Sequence, residues 1–232
     1  MRLLLINPNS TAAMTQTIAA QATAVARPGT LIRAVNPTDT PPAIQGPEDG
    51  EAALPGLFAL FARETADWSP DAVVIACFDD TGLAELKRRS AIPVLGIGEA
   101  AFHAAMLLGG RFSVVTTLDV SVPVIEDNIS RYGFAERCAL VHASGVPVLD
   151  LEDARDSAAE AIAGGIAAAV AQNAPDTIVL GCAGMAGMAE RMTERFRRPV
   201  IDGVTAAVVL AEALHALQNA GALLGADGRT AP

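Results

Sequence analysis

A sixteen-residue pattern occurs twice in this chain and constrains its fold more than any other feature. Asp71 to Leu86 reads DAVVIACFDDTGLAEL, and Asp176 to Arg191 reads DTIVLGCAGMAGMAER, with Asp71 and Asp176, and Cys77 and Cys182, each separated by 105 positions. In both copies a run of branched apolar residues reads as a strand buried in a sheet, and a small, polar turn then leads into a helix. Each cysteine falls where its strand stops. In open α/β sheets that edge is where ligands bind. Two thiols at matching positions of two similar halves are therefore expected to face each other across one cleft. Cys138 has no counterpart in the repeat and reads as a packing residue, since free cysteine is among the most buried residue types.

The rest of the chain extends the duplication. Leu3 to Ile6 is a first strand, followed by a polar turn in which Ser10 or Thr11 can cap a helix running to about Ala26. Asn9 lies at the carboxyl edge of that strand as a candidate hydrogen-bonding residue. Leu31 to Val35 is a second strand, and Asn36 to Gly50 is a loop rich in proline and glycine, of the length that often forms a lid or binding loop. Ile44 is its candidate contact with a substrate. Leu54, Leu57, Phe58, Phe61 and Trp68 then recur at helical spacing as a core stripe. From Arg111 the chain restarts with RFSVVTTLDVS, parallel to RLLLINPNST, so that Thr116 and Thr117 stand where Asn7 and Pro8 stood. Arg198 to Ile201 likewise echoes Ile92 to Leu95.

The expected fold is α/β, with two pseudo-symmetric lobes from an internal duplication. Each lobe is a four-stranded parallel sheet flanked by helices, and the active site lies between them. Residues 1–109 form the first lobe, with the C-terminal helix packed on it; residues 110–220 form the second, and 221–232 a flexible tail.

Composition narrows the function. At 232 residues and 51% hydrophobic, the chain can bury a sizeable core. A net charge of −10 disfavours nucleic acid and anionic membranes as partners. MRLLLINPNS is too short in apolar residues for a signal peptide, and no segment reaches transmembrane length, so the expected location is cytoplasmic. His103, His142 and His215 are scattered and no CxxC occurs, so no metal is expected. Lys87 is the only lysine and sits beside Arg88 and Arg89, a poor Schiff-base candidate, so no pyridoxal phosphate is expected. The chemistry is read as needing no cofactor.

Racemisation next to a carbonyl requires one group to remove a proton and another to return one to the opposite face of a planar intermediate. A thiolate and a thiol suit this pair of tasks. Because each cysteine precedes a helix, free N–H groups and the helix dipole are expected to favour its thiolate and to hold an enolate oxygen. Asp79 and Asp80 oppose this if they face Cys77, and are neutral if they cap a helix or orient the loop instead.

INPNST at the N-terminus, ACFDDTGL around Cys77, GIGEAAFHAAMLLGGRFSVVTTL across the junction, LGCAGMA around Cys182 and PVIDGVTAAVVLAEAL near the end together resemble the hydantoin racemase branch of the aspartate/glutamate racemase superfamily, over nearly the whole chain to about Leu217. The resemblance implies cofactor-independent racemisation by Cys77 and Cys182, and favours a homo-oligomer, as do the alanine- and leucine-rich helices. Racemases of free aspartate or glutamate typically follow their cysteines with Asn-Thr and Thr-His. Here Phe78-Asp79 and Ala183-Gly184 stand in those places and fit a neutral cyclic ureide better than an α-carboxylate, with Phe78 against the ring or its substituent. The reading is a racemase of 5-monosubstituted hydantoins. Allantoin racemase, a free amino-acid racemase and a non-catalytic ligand-binding module are the alternatives, in that order. A malonate decarboxylase is disfavoured by the intact pair of cysteines, and a redox dithiol is a further alternative.

Overall fold

Among the described residues, eight short apolar runs become eight strands in two parallel sheets. The computed structural model of the chain describes residues 1–220; the tail expected at 221–232 lies outside the described residues. The first sheet is built from β1 (Arg2–Ile6), β2 (Leu31–Val35), β3 (Ala72–Ile75) and β4 (Val94–Gly96) in the order β2-β1-β3-β4. The second repeats that order as β6-β5-β7-β8, from β5 (Phe112–Thr116), β6 (Cys138–Ala143), β7 (Thr177–Leu180) and β8 (Val200–Asp202). Every pairing is parallel, which requires a crossover between consecutive strands.

The crossovers in the first half are α1 (Ala12–Val25), α2 (Pro47–Trp68) and α3 (Leu83–Arg89), with α4 (Ile97–Leu108) leading into the second half. There α5 (Val122–Arg131), the short α6 (Asp150–Asp153), α7 (Arg155–Asn173), α8 (Ala189–Phe196) and α9 (Gly203–Asn219) follow. The loop expected at 36–50 ends four residues early, because Pro47 opens α2, where its missing N–H costs nothing. At Thr11 the expected side-chain cap is absent. Asn9 Oδ1 accepts the Thr11 N–H at 3.0 Å, and the Thr11 hydroxyl donates to Pro42 O at 2.6 Å, fastening the 36–46 loop.

Strand alternation decides what each face meets. Leu3, Leu5 and Val74 point into a cluster shared with Phe102, Phe112, Val114 and Val204, which joins the two lobes. Leu4, Ile6, Val73 and Ile75 point the other way, onto Leu57, Leu60 and Leu86. In the second sheet Val115, Ile178 and Leu180 meet Ile162, Ile166 and Met192. Each fully buried Leu or Ile of these clusters stabilises the fold by about 1.5–3 kcal/mol. α9 packs on α1, α4 and β3, and its buried Glu212 accepts hydrogen bonds from the Thr30 hydroxyl (2.6 Å) and the Arg27 N–H (2.9 Å). Among the described residues no helix is long and apolar enough to cross a membrane.

The duplication carries its own fastener. Asp71 Oδ2 accepts the Arg2 N–H at 2.6 Å, and Asp176 Oδ2 accepts the Arg111 N–H at 2.7 Å. Each repeated aspartate therefore holds the first strand of its own half beside the strand it precedes.

Candidate active site

Because all strands of a sheet run parallel and in register, their carboxyl ends lie at one level. Ile6 pairs with Val35 and Ile75 with Gly96; Thr116 pairs with Ala143 and Val115 with Leu180. The residues just beyond these ends converge on one small cavity of about 20 Å³, room for about one water molecule. Its walls include Asn9, Ile44, Cys77, Phe78, Asp79, Thr117, Cys182 and Ala183 among the residues expected from sequence. Two expected residues lie outside the lining. Thr116 is the last residue of β5, fully buried, and donates its hydroxyl to Gly181 O at 2.9 Å. Gly184 packs on Leu151, whose Cδ1 would lie 2.7 Å from an added Cβ. Met14, Ala76, Ser121, Val148 and Gly181 complete the wall. Sequence reasoning missed them because nothing in their local pattern distinguishes them from core.

A larger apolar cavity of about 620 Å³ lies along α4 and α9. No cysteine lines it, and its walls are mostly apolar, with Lys87, Glu99 and His103 among them. The two thiols meet in the smaller cavity.

All three cysteines are free, and Cys77 and Cys182 each keep part of their surface open to the cavity. Their surroundings overturn the expectation of ready thiolates. Burial pushes the Cys77 thiol well above its ordinary range, and the nearby Asp79 carboxylate pushes further; hydrogen bonds from the Thr81 hydroxyl and the Asp79 N–H oppose this. The Thr81 oxygen is 3.4 Å from Cys77 Sγ. Cys182 is pushed up to about 12, chiefly by burial, against hydrogen bonds from the Gly184 and Ala183 N–H groups. The helices begin too late to help. α3 starts at Leu83 and α8 at Ala189, with only a 3-10 turn, Ala183–Met185, directly after Cys182. Helix-end electrostatics fade within the first turn.

The two aspartates after Cys77 divide their tasks. Asp80, with φ at 51°, folds back and caps α4 rather than the helix that follows it. Its Oδ1 accepts the Gly98 N–H (3.0 Å), and its Oδ2 accepts the Glu99 N–H (2.7 Å) and the Tyr132 hydroxyl (2.8 Å). Gly96 and Gly98 make room for it: an added Cβ would sit 2.0 Å from Asp80 Oδ1 at Gly96, and 2.4 Å from Phe78 O at Gly98. The corresponding place in the second half shows why. There Asp202, at the end of β8, caps α9 itself, with Oδ1 accepting the Thr205 N–H at 2.8 Å. Gly96 has no side chain to do so. Asn128, one turn before Tyr132 in the last turn of α5, donates to Asp79 O at 2.8 Å, so the second lobe holds the cysteine loop of the first at two points.

Asp79 faces the cavity. Its Oδ2 is buried without a hydrogen-bond partner among the described residues, and its charge raises both thiols. Burial lifts its own carboxyl to about 7, against about 3.9 in an unfolded chain. Between those values the folded state holds a proton that the unfolded state releases, so stability is fully present below about pH 4 and is lost as pH rises through about 7. Asp79→Asn is accordingly expected to match the parent near pH 4 and to gain about 2 kcal/mol at pH 8. Urea titrations at the two pH values measure this, and equal midpoints at pH 8 would contradict it.

Phe78 contributes to the wall, yet its ring stands edge-on to Phe102 at 5.5 Å within the core that joins the lobes. Asn9 is held by Asn7 Nδ2, which donates to its Oδ1 at 2.8 Å, and its own Nδ2 lies 3.3 Å from Met14 Sδ. Ile44 is buried over the cavity. Its loop is tied across the lobes by Gln45 Oε1, which accepts the Val148 N–H at 3.1 Å.

Known proteins resemble this chain in sequence and fold. The family model described as Asp/Glu/Hydantoin racemase matches residues 3–211. A hydantoin racemase of Rhizobium meliloti is 46% identical over 214 residues, covering 92% of this chain and 88% of the relative; one of Paenarthrobacter aurescens is 36% identical over 217 residues, 94% and 92%. The solved allantoin racemase of Klebsiella pneumoniae superposes with a TM-score of 0.90 at 43% identity, covering 94% of this chain and 89% of that one. With two four-stranded parallel sheets whose ends meet at a pair of thiols, and with that match over residues 3–211, the chain belongs to the Asp/Glu/hydantoin racemase family and is an isomerase of the racemase kind.

Proposed function

We propose that the chain is a cofactor-independent racemase of 5-monosubstituted hydantoins, with Cys77 and Cys182 as its acid/base pair. The observation that carries the reading is the convergence of both thiols on one cavity from equivalent strand ends of two lobes. One cysteine enters as thiolate and removes the C5 proton of one face, leaving an enolate and a new thiol. The other, entering as thiol, gives its proton to the opposite face and leaves as thiolate. The two have exchanged protonation states, and no other reactant is consumed. The N–H groups of Ala183 and Gly184, and that of Asp79, are already directed at the sulfurs and steady each thiolate as it forms.

The residues around the pair support a neutral ring. Among the described residues, the wall carries no lysine, arginine or histidine to hold an α-carboxylate. Asn9 and Thr117 supply polar contacts, and Ile44 and Ala183 apolar ones. A ring is larger than the present cavity, so its entry requires the 36–46 loop bearing Ile44 to move outward. A second reading, allantoin racemase, is favoured by the 43% identity to the Klebsiella enzyme; allantoin is itself a hydantoin with a ureido group at C5.

The test is incubation in deuterated water with each enantiomer of a 5-alkyl hydantoin and of allantoin, following rotation and C5 deuterium together. Loss of rotation with deuterium uptake is expected, and the faster substrate decides between the readings. Because both thiols are raised, kcat/KM is expected to climb about tenfold per pH unit between 7 and 9. No gain over the uncatalysed rate on any hydantoin, or a flat profile, would rule the proposal out.

A further inference from the structure

The Asp79 carboxylate is an acidic group in the cavity that the acid/base pair leaves unexplained. A carboxylate close to a thiol hinders formation of the thiolate that catalysis needs, and here it acts on both sulfurs. A buried oxygen without a partner is costly in its own right. The backbone that carries it is nonetheless held in place. The Asp79 N–H is turned toward Cys77 Sγ, its carbonyl is held by Asn128 at 2.8 Å, and the next residue is locked by three hydrogen bonds on Asp80. Such a group is preorganised for a donor that arrives with the ligand.

Resting on the hydantoin reading of the same cavity, we propose that Asp79 Oδ2 accepts a hydrogen bond from the ring N1–H of the ligand, the donor bonded directly to the reacting carbon, and that this contact selects neutral ureides over free α-amino acids. A hydantoin with its C5 between the thiols carries N1–H one bond away, in the part of the cavity that Asp79 shares with both sulfurs. The carboxylate of a free amino acid, attached to the same carbon, would enter a wall that among the described residues has no cationic side chain and already holds an acidic group. A site built to pair with a donor rejects analogues lacking it, because its own polar group is then left unpaired. The burial that lifts the Asp79 carboxyl also makes the contact strong, since water does not compete for it.

The probes are 5,5-dimethylhydantoin, which has no C5 proton and is not turned over, and its N1-methyl and N3-methyl derivatives. Their affinities are measured by calorimetry at pH 8 on the full chain and on Asp79→Asn and Asp79→Leu, after circular dichroism has shown that the variants are folded. The parent is expected to bind the unmethylated ring at least about tenfold more tightly than the N1-methyl compound, a larger loss than N3-methylation causes. Asp79→Asn, which keeps an acceptor oxygen, is expected to retain part of this preference. Asp79→Leu, which offers no acceptor and no extra space, is expected to erase it. A preference that survives in Asp79→Leu would show that the cavity merely lacks room for the methyl group, and would overturn the proposal. So would a parent that does not distinguish the N1-methyl ring, even with racemisation intact, and in that case the hydantoin reading stands without Asp79. Failure of the parent to bind or racemise any hydantoin removes both.

Discussion

Replacing Cys77 or Cys182 by serine is expected to lower racemisation at least about a thousandfold, because a serine hydroxyl is too weak an acid to serve as either partner at neutral pH. The two variants should nevertheless differ in a way that a general loss of structure would not produce. With one thiol remaining, a proton can still be taken from one face of the ring and exchanged with solvent before it returns to that face. Each variant is therefore expected to place deuterium at C5 of one enantiomer without inverting it, and the two variants to choose opposite enantiomers. Exchange of the same enantiomer by both would mean that the cysteines do not lie on opposite faces of the ligand. Residual racemisation above about a tenth of the parent rate in either variant would remove that residue from the pair.

The second large effect falls on stability. Asp80→Ala removes the acceptor for two backbone N–H groups of α4 and for Tyr132, and is expected to cost about 3 kcal/mol. In a domain of this size that corresponds to a fall of about 10 °C in Tm. Gly96→Ala is expected to cost a similar amount for a different reason, since its Cβ would meet Asp80 Oδ1 at 2.0 Å. The combination identifies the contact: once the carboxylate is gone the added methyl still meets Leu83 Cδ2 at 2.7 Å, but that is the movable end of a side chain, so the double variant should be more stable than the sum of the single losses by about 2 kcal/mol. Strict additivity in thermal unfolding would show that the two positions act separately.

Much of this fold could be read from the chain because the repeat is written in it. The placement of Cys77 and Cys182 at equivalent strand ends follows from two apolar runs of the same length in front of them, and the parallel order follows from helices between strands. The exceptions are contacts between residues far apart in sequence. Asp80 lies 52 positions from Tyr132 and 18 from Gly98, and no local pattern links them. Thr11 had the composition of a cap, but the nearby Pro42 carbonyl claimed its hydroxyl. Thr116 and Gly184 matched the repeat by alignment, yet strand pleat and the bulk of Leu151 turned them from the cavity. The chemistry of the thiols was the least legible. A helix that follows a cysteine in sequence acts on it only when its first turn begins beside the sulfur. Desolvation, which dominates here, depends on everything that packs around the site.

The two halves repeat a backbone but not an electrostatic environment: an acidic side chain stands beside Cys77, while only Ala183, Gly184 and Met185 follow Cys182. Mirror-image substrates with a single stereocentre have equal free energy in water and are interconverted through the same barrier. Their values of kcat/KM must therefore be identical whatever surrounds each sulfur. The imbalance can alter only how tightly each hand is held and how fast it turns over once bound, in compensating proportion. An enzyme of this design can favour one enantiomer in occupancy without ever shifting the final one-to-one mixture.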